Sequence, residues 1–183
     1  MQEEFNPQAV KLVIGLGNQG ARYAHTYHNI GHWFVDYLAS GSSFSRTRSK
    51  TFVYVKKSQV FLVKTSVCMN DSGRAIMNAL TFSHANPDQC IAVHDDADIA
   101  LGGYQLAFGK RPAGHRGVQS IITVLHTNKF WRLRIGIREK HAPPHEEKRK
   151  RAGDFVLRPI SKEHALVFER TFGEIRDRVF ARE

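Results

Sequence analysis

The chain has 183 residues, 42% apolar and 10% aromatic, which suits one soluble globular domain with its own core. Twenty-seven Lys and Arg against seventeen Asp and Glu give a net charge of +10, with ten His in reserve, so a polyanionic partner is expected, nucleic acid before an anionic membrane surface. Two cysteines, Cys68 and Cys90, argue against a disulfide framework, and no run of about 18 apolar residues is present to cross a membrane. The first ten residues carry two Glu and neither Lys nor Arg, so no secretory or Arg-rich leader is expected. The default address is the cytoplasm, with a mitochondrial destination left open.

The first strand is read at residues 10–16, around Leu12-Val13-Ile14, and breaks at Gly15-Leu16-Gly17-Asn18-Gln19-Gly20. Asn18, Tyr23, His28 and Asn29 then share a loop. Ile30, Trp33, Phe34, Tyr37 and Leu38 follow helical spacing until Ser40-Gly41. Residues 45–50, SRTRSK, read as a basic surface loop. TFVYVKK and QVFLVKT read as a hairpin turning at Lys57-Ser58. Asn70 or Asp71 is expected to cap a helix whose inner face is Ile76, Ala79 and Leu80.

Cys90 to Val93 is a buried run ending in His94-Asp95-Asp96-Ala97-Asp98. Gly102-Gly103 turns the chain into a strand from Tyr104 to Gly109, and residues 110–117, KRPAGHRG, form a second basic loop. Val118, Ile121, Ile122 and Leu125 again show helical spacing. Phe130 to Ile137 alternates with arginines, which suggests an edge strand or one lining a site. Residues 139–151, EKHAPPHEEKRKR, lack core-forming side chains and read as a mobile basic loop. A last helix starts near Ser161, with Phe168, Phe172, Ile175 and Val179 on one face. Strands alternating with helices, plus a hairpin, predict one domain over 1–183: a mixed twisted sheet with helices on both faces, an α/β/α sandwich.

Gly15-Leu16-Gly17-Asn18-Gln19-Gly20 matches G-x-G-x-x-G after a strand, but that motif needs a helix at once so that its amides face a pyrophosphate. Here helical spacing starts only near His28, so a dinucleotide-dependent enzyme is a lesser alternative. His28 is the sharper feature, since an imidazole at a site mouth can take a proton from water near neutral pH. Asp95 and Asp98 follow a predicted strand on the same sheet edge as Asn18 and His28, where a carboxylate can hold one imidazole nitrogen and raise the basicity of the other. The Asp cluster leaves divalent-metal binding open. His28, His94 and His115 lack the short spacing of a zinc site, and Cys68, between Val67 and Met69, reads as packed rather than nucleophilic. Lys110, Arg111 and the basic runs 45–50 and 148–151 could together track a phosphate backbone.

At this point four ordered motifs carry a resemblance. KLVIGLGNQGARYAHTYHNIG is similar to VGLGNPG-x-Y-x-x-T-R-H-N-x-G, VKTSVCMNDSG to F-M-N-x-S-G, VHDDADIALG to H-D-E-L-D-x-x-x-G, and GHRGVQSI with FWRLRIGI to G-H-N-G-L with R-L-R-I-G-I. Along nearly its whole length the chain resembles a bacterial-type peptidyl-tRNA hydrolase. The resemblance implies hydrolysis of the ester joining a peptide to the 3′-terminal ribose of tRNA. It implies that His28 is the general base and that Asp95 orients it. Asn18 and Asn70 would bind peptide carbonyls and position water. Met69 and Cys68 would line the site, Tyr23 would meet the tRNA 3′ end, and His115 and Arg116 would stand on the opposite loop. It implies no metal, no cofactor and no membrane, with peptidyl-tRNA as partner and a monomer as the working form. Against the family pattern, Gln19 replaces Pro, Tyr27 Arg, Cys68 Phe, Arg116 Asn and Asp96 Glu. These changes keep a non-catalytic RNA-binding protein in view as the rival reading.

Overall fold

The structure, a computed structural model, describes residues 4–139 and 155–180. Strand β1 (Leu12–Gly15) is buried along its whole length, as an unbroken apolar run requires between two covered faces. Two 3-10 turns, Ala21–Tyr23 and Tyr27–Asn29, lead into helix α1 (Ile30–Ala39). That helix stops where Ser40 turns left-handed at φ 48° and returns its N–H to the carbonyls of Asp36 and Tyr37. Strands β2 (Ser45–Arg46), β3 (Phe52–Lys57) and β4 (Val60–Thr65) follow, then α2 (Ser72–Ser83). The chain continues through β5 (Cys90–Ala100), β6 (Tyr104–Phe108), α3 (Arg116–Leu125), β7 (Trp131–Arg138) and α4 (Lys162–Val179).

The strands form a single seven-stranded sheet in the order β2-β3-β4-β1-β5-β7-β6. Its centre, β4-β1-β5-β7, is parallel, and the flanking pairs β2-β3, β3-β4 and β6-β7 are antiparallel. Val13, Phe34, Ile91, Leu133, Phe168 and Phe172 pack one face beneath α1 and α4. Leu12, Ile14, Ile76, Ala92, Val118 and Ile121 pack the other beneath α2 and α3. The expected α/β architecture with helices on both faces is therefore present.

β1 lies between β4 and β5, and the chain leaves it by α1 on one face and reaches β5 by α2 on the other. The carboxyl end of β1 is thus the point where connections diverge, which opens a crevice. The start of α1 is pressed directly onto this end. A Cβ at Gly15 would lie 2.2 Å from the Gly31 carbonyl oxygen, and one at Gly31 would lie 2.4 Å from the Val93 carbonyl oxygen. Only glycine permits this approach, which carries His28 and Asn29 up to β5.

Several local expectations change. Ser45–Arg46 pairs with Tyr54 and Val53, so the first basic loop contributes an edge strand. The hairpin turns as expected, with Ser58 at φ 52°. Asp71 occupies the N-cap position of α2, but its side chain accepts no capping hydrogen bond. β5 does not end at Val93; it runs through His94-Asp95-Asp96-Ala97-Asp98 to Ala100. β7 is no edge strand: it sits between β5 and β6, with Arg132 only 2% exposed and Arg134 bonded to Asp96 and Gln105. Of the alternating arginines that suggested an edge, Arg134 is taken up by buried Asp96, Arg132 is enclosed with its Nη1 unpartnered among the described residues, and Arg138 is exposed. Gly20 is followed by a 3-10 turn rather than by an α-helix, so the helix that the dinucleotide motif needs at once is not there. Of the predicted mobile loop at 139–151, all but Glu139 lies outside the described residues.

Candidate active site

The carboxylate of Asp95, on β5, is 3% exposed and accepts two imidazole N–H groups on one oxygen. His28 Nδ1 lies 2.8 Å from Asp95 Oδ1, and His115 Nε2 lies 3.1 Å from the same atom. Burial alone would raise the Asp95 carboxyl, but His115 and His28 outweigh it and hold the group well below the usual carboxylate range.

The hydrogen bonds also assign the tautomers. His115 is the N-cap of α3, and its Nδ1 accepts the Val118 N–H at 3.3 Å, so its proton sits on Nε2 facing Asp95. Both His115 nitrogens are committed. His28 donates through Nδ1, which leaves Nε2 as a bare lone pair. The backbone N–H of His28 donates to Val156 O at 2.8 Å, and Ile160 N–H donates to His25 O, so residues 155–160 strap the turn that carries the ring. Thr26 and Pro159 form a β-bridge in the same strap.

Asn18 is held from both sides. Buried Asn29 grips its backbone, accepting Asn18 N–H at 2.9 Å and donating Nδ2–H to Asn18 O at 3.0 Å. Asn18 Oδ1 accepts the Met69 N–H at 2.8 Å, which turns the Asn18 amide nitrogen into an available donor. The 3-10 turn Met69–Asp71 thereby docks against the glycine-rich loop. Met69 is buried, as expected of a lining residue, and Asn70 is exposed on the wall of an adjoining cavity shared with Gly114 and Arg116. Tyr23 is half-buried beneath the Arg22 guanidinium, 4.5 Å from its ring centre.

Cys68 is exposed, which overturns the packed reading. Its neighbours Val67 and Met69 turn inward and leave the thiol outside. Asp98 is exposed too, and only its N–H is engaged, with Asp96.

His28, Asp95 and His115 offer three ligand atoms within 4.8 Å of one another, a grouping that spacing along the chain could not reveal. To bind a metal, His115 must surrender its Nε2 proton, and the neutral ring then puts Nδ1–H against the Val118 N–H. The donor set fits a hydrogen-bonded cluster better than a metal centre. His94 stands behind it, its ring 4.5 Å from that of His115 and its Nδ1 on the Asp95 carbonyl. Burial drives His94 well below its ordinary value.

Two supporting residues escaped the sequence reading. Thr65 Oγ1 donates to Gly17 O and accepts Gly17 N–H, and His32 Nε2 lies 2.9 Å from the same hydroxyl. Since the hydroxyl proton goes to Gly17, His32 must donate, and burial and then Lys64 push its value down to about 3. Together they fix the exit of β1. His32 lies on the α1 turn pressed against Gly17, a pairing of distant segments without a local motif.

The family model for peptidyl-tRNA hydrolase matches residues 12–181. The chain belongs to the peptidyl-tRNA hydrolase family. It is 40% identical over 158 residues to the peptidyl-tRNA hydrolase of Moorella thermoacetica, covering 84% of this chain and 80% of that one. It is 33% identical over 172 residues to that of Sulfurihydrogenibium sp. strain YO3AOP1, covering 92% and 88%. The crystal structure of peptidyl-tRNA hydrolase from Acinetobacter baumannii superposes with a TM-score of 0.79 at 25% identity, over 96% of this chain and 91% of that one.

Among the departures from the peptidyl-tRNA hydrolase pattern, Tyr27 is absorbed by packing. It is buried, its ring stacks on Phe155, and its hydroxyl lies 2.6 Å from His164 Nδ1. Asp96 is committed to Arg134 at 2.7 Å. Gln19 is exposed beside Gly20, whose φ is 112°. Cys68 and Arg116 are exposed, and Arg116 joins Asn70 in lining the cavity.

Proposed function

We propose that this chain cleaves the ester between a peptide and the 3′-terminal ribose of tRNA, with His28 as general base. The observation that carries this reading is the 2.8 Å bond from His28 Nδ1 to Asp95, because it leaves Nε2 as the one uncommitted imidazole nitrogen of the pair. Nε2 takes a proton from water as the oxygen attacks the ester carbonyl carbon. Asp95 stabilises the imidazolium that forms, as a buried carboxylate behind a histidine does. The imidazolium then returns the proton to the departing ribose 3′-oxygen, so the step balances with water as the only co-reactant.

The Asn18 amide donor and the exposed Asn70 amide are assigned to the carbonyl oxygen and the peptide backbone. Donors set in advance toward a developing oxyanion lower the barrier by about 3 kcal/mol each. His115 keeps Asp95 ionised and aligned without exchanging a proton, since both of its nitrogens are engaged. Met69 lines the site, and Tyr23 and Cys68 are assigned to its outer rim, toward the tRNA end. The domain is read as one unit over 1–183, acting as a monomer in the cytoplasm. Among the described residues no helix is long and apolar enough to cross a membrane.

The test is His28→Ala with N-acetyl-aminoacyl-tRNA. Turnover should fall by about 10²–10⁴-fold while tRNA affinity holds. Hydrolysis at the parental rate would remove His28 from the mechanism.

A further inference from the structure

Beside the imidazole–carboxylate cluster lies a cavity of about 580 Å³ between the first turns of α2 and α3. Asn70, Asp71, Arg74, Pro112, Arg116 and Ser120 are among its walls. The two helix starts meet because Gly73 has no side chain: a Cβ there would lie 2.3 Å from the Ser120 carbonyl oxygen. Gly73 N–H donates to Ser120 Oγ at 3.0 Å, which leaves the Ser120 hydroxyl proton available.

Both arginines are exposed, and their placement favours an anion over a cation nearby. Arg74 and Arg116 each occupy the first turn of a helix, where the macrodipole already presents positive charge and a cation is repelled. The start of α3 carries no acidic residue, while α2 has Asp71 at its N-cap. Neither guanidinium has a carboxylate partner among the described residues. Asp71, the carboxylate in the lining, is exposed and bonds neither arginine. Two planar donor forks and the positive start of α3 lining one cavity suit an oxyanion.

We propose that this cavity is a phosphate subsite, in which Arg74 and Arg116 hold the phosphodiester joining the last two nucleotides of the tRNA 3′ end. The proposal rests on the hydrolase reading, since Asn70, assigned above to the peptide backbone, is part of the cavity wall. A phosphate is favoured over an acidic side chain of the peptide because exposed Lys110 and Arg111 extend the cationic surface past Pro112. A track of cations suits a repeating anion rather than a single carboxylate. Arg116 then supplies, by charge, a hold on the nucleotide that an amide at this position could make only by hydrogen bonding.

The experiment compares Arg116→Gln and Arg74→Gln with the parent on N-acetyl-aminoacyl esters of tRNA, of the dinucleotide CpA and of adenosine. For the tRNA and CpA esters, kcat/KM should fall at least about tenfold, the scale of one lost charge-assisted hydrogen-bond pair, through KM rather than kcat. The adenosine ester should be unaffected. An equal loss on all three esters, or no loss on the CpA ester, overturns the assignment. A loss confined to esters of acidic N-acetyl-amino acids would place the anion in the peptide and overturn it as well. Calorimetric titration with 5′-AMP and adenosine tests the cavity without turnover: the parent should prefer AMP, and the variants should not. A parent that prefers AMP yet cleaves no ester would sink the hydrolase reading while leaving the subsite standing.

Discussion

Asp95 receives two imidazole protons on one oxygen while almost fully buried, so its charge is sustained by its partners rather than by water. Asp95→Asn keeps the volume but offers an amide donor toward His28 Nδ1. The ring then carries its proton on Nε2 and is no longer a base. Turnover should fall by about 10³–10⁴-fold with KM little changed, read from steady-state kinetics on N-acetyl-aminoacyl-tRNA. Buried histidines around the site set a pH dependence of stability. His32 takes up a proton near pH 3 when folded and near about 6.5 when unfolded, and His94 is shifted in the same direction. Below about pH 6.5 the unfolded chain therefore binds more protons, and stability is lost as pH falls. The depressed Asp95 adds a further loss below about pH 4. Urea unfolding between pH 7 and pH 4 should show this decline, and His32→Gln should remove about one proton, or about 1.4 kcal/mol per pH unit, from its slope.

At the level of the element, the contact between α1 and β1 decides where the base stands. In Gly31→Ala the new Cβ meets backbone on β5 and just past the end of β1, at the Val93 and Leu16 oxygens, which cannot swing aside as a side chain could. The helix must lift, at a cost of about 1–3 kcal/mol. Thermal unfolding should register that loss, and kcat should fall with it as His28 is drawn from Asp95. An unchanged kcat in a destabilised variant would show that the turn holding His28 moves independently of α1.

The helices were readable because Phe34, Ile76, Ile121 and Phe172 recur at the spacing that buries one face. The far half of β5 was not. His94, Asp95 and Asp96 look like the end of a strand, yet they pair in extended form with β7, where distant Arg134, His28 and His115 satisfy the two carboxylates. The members of the candidate site were legible as residue types following strands. The Asn29 grip on Asn18, the His32–Thr65 pairing and the exposure of Cys68 depend on contacts between segments that no local pattern announces.

Across the whole molecule, a net charge of +10 acts mainly on encounter and grip. The logarithm of tRNA affinity should fall linearly with the logarithm of salt, with a slope of about −0.7 to −0.9 for each phosphate engaged. Binding measured between about 50 and 200 mM salt, where counterion release is large, tests this. Turnover at saturating substrate should hardly respond, because the buried His28–Asp95 bond is shielded from screening.

The strap at residues 155–160 has a consequence for how this molecule could fail. It supplies the partner for the backbone amide of His28, and it returns from the opposite end of the chain. The reactive ring is therefore only as steady as a stretch of polypeptide lying more than a hundred positions downstream. Damage there, by cleavage or by a poorly tolerated substitution, would silence the chemistry from a distance while every side chain of the crevice stayed intact.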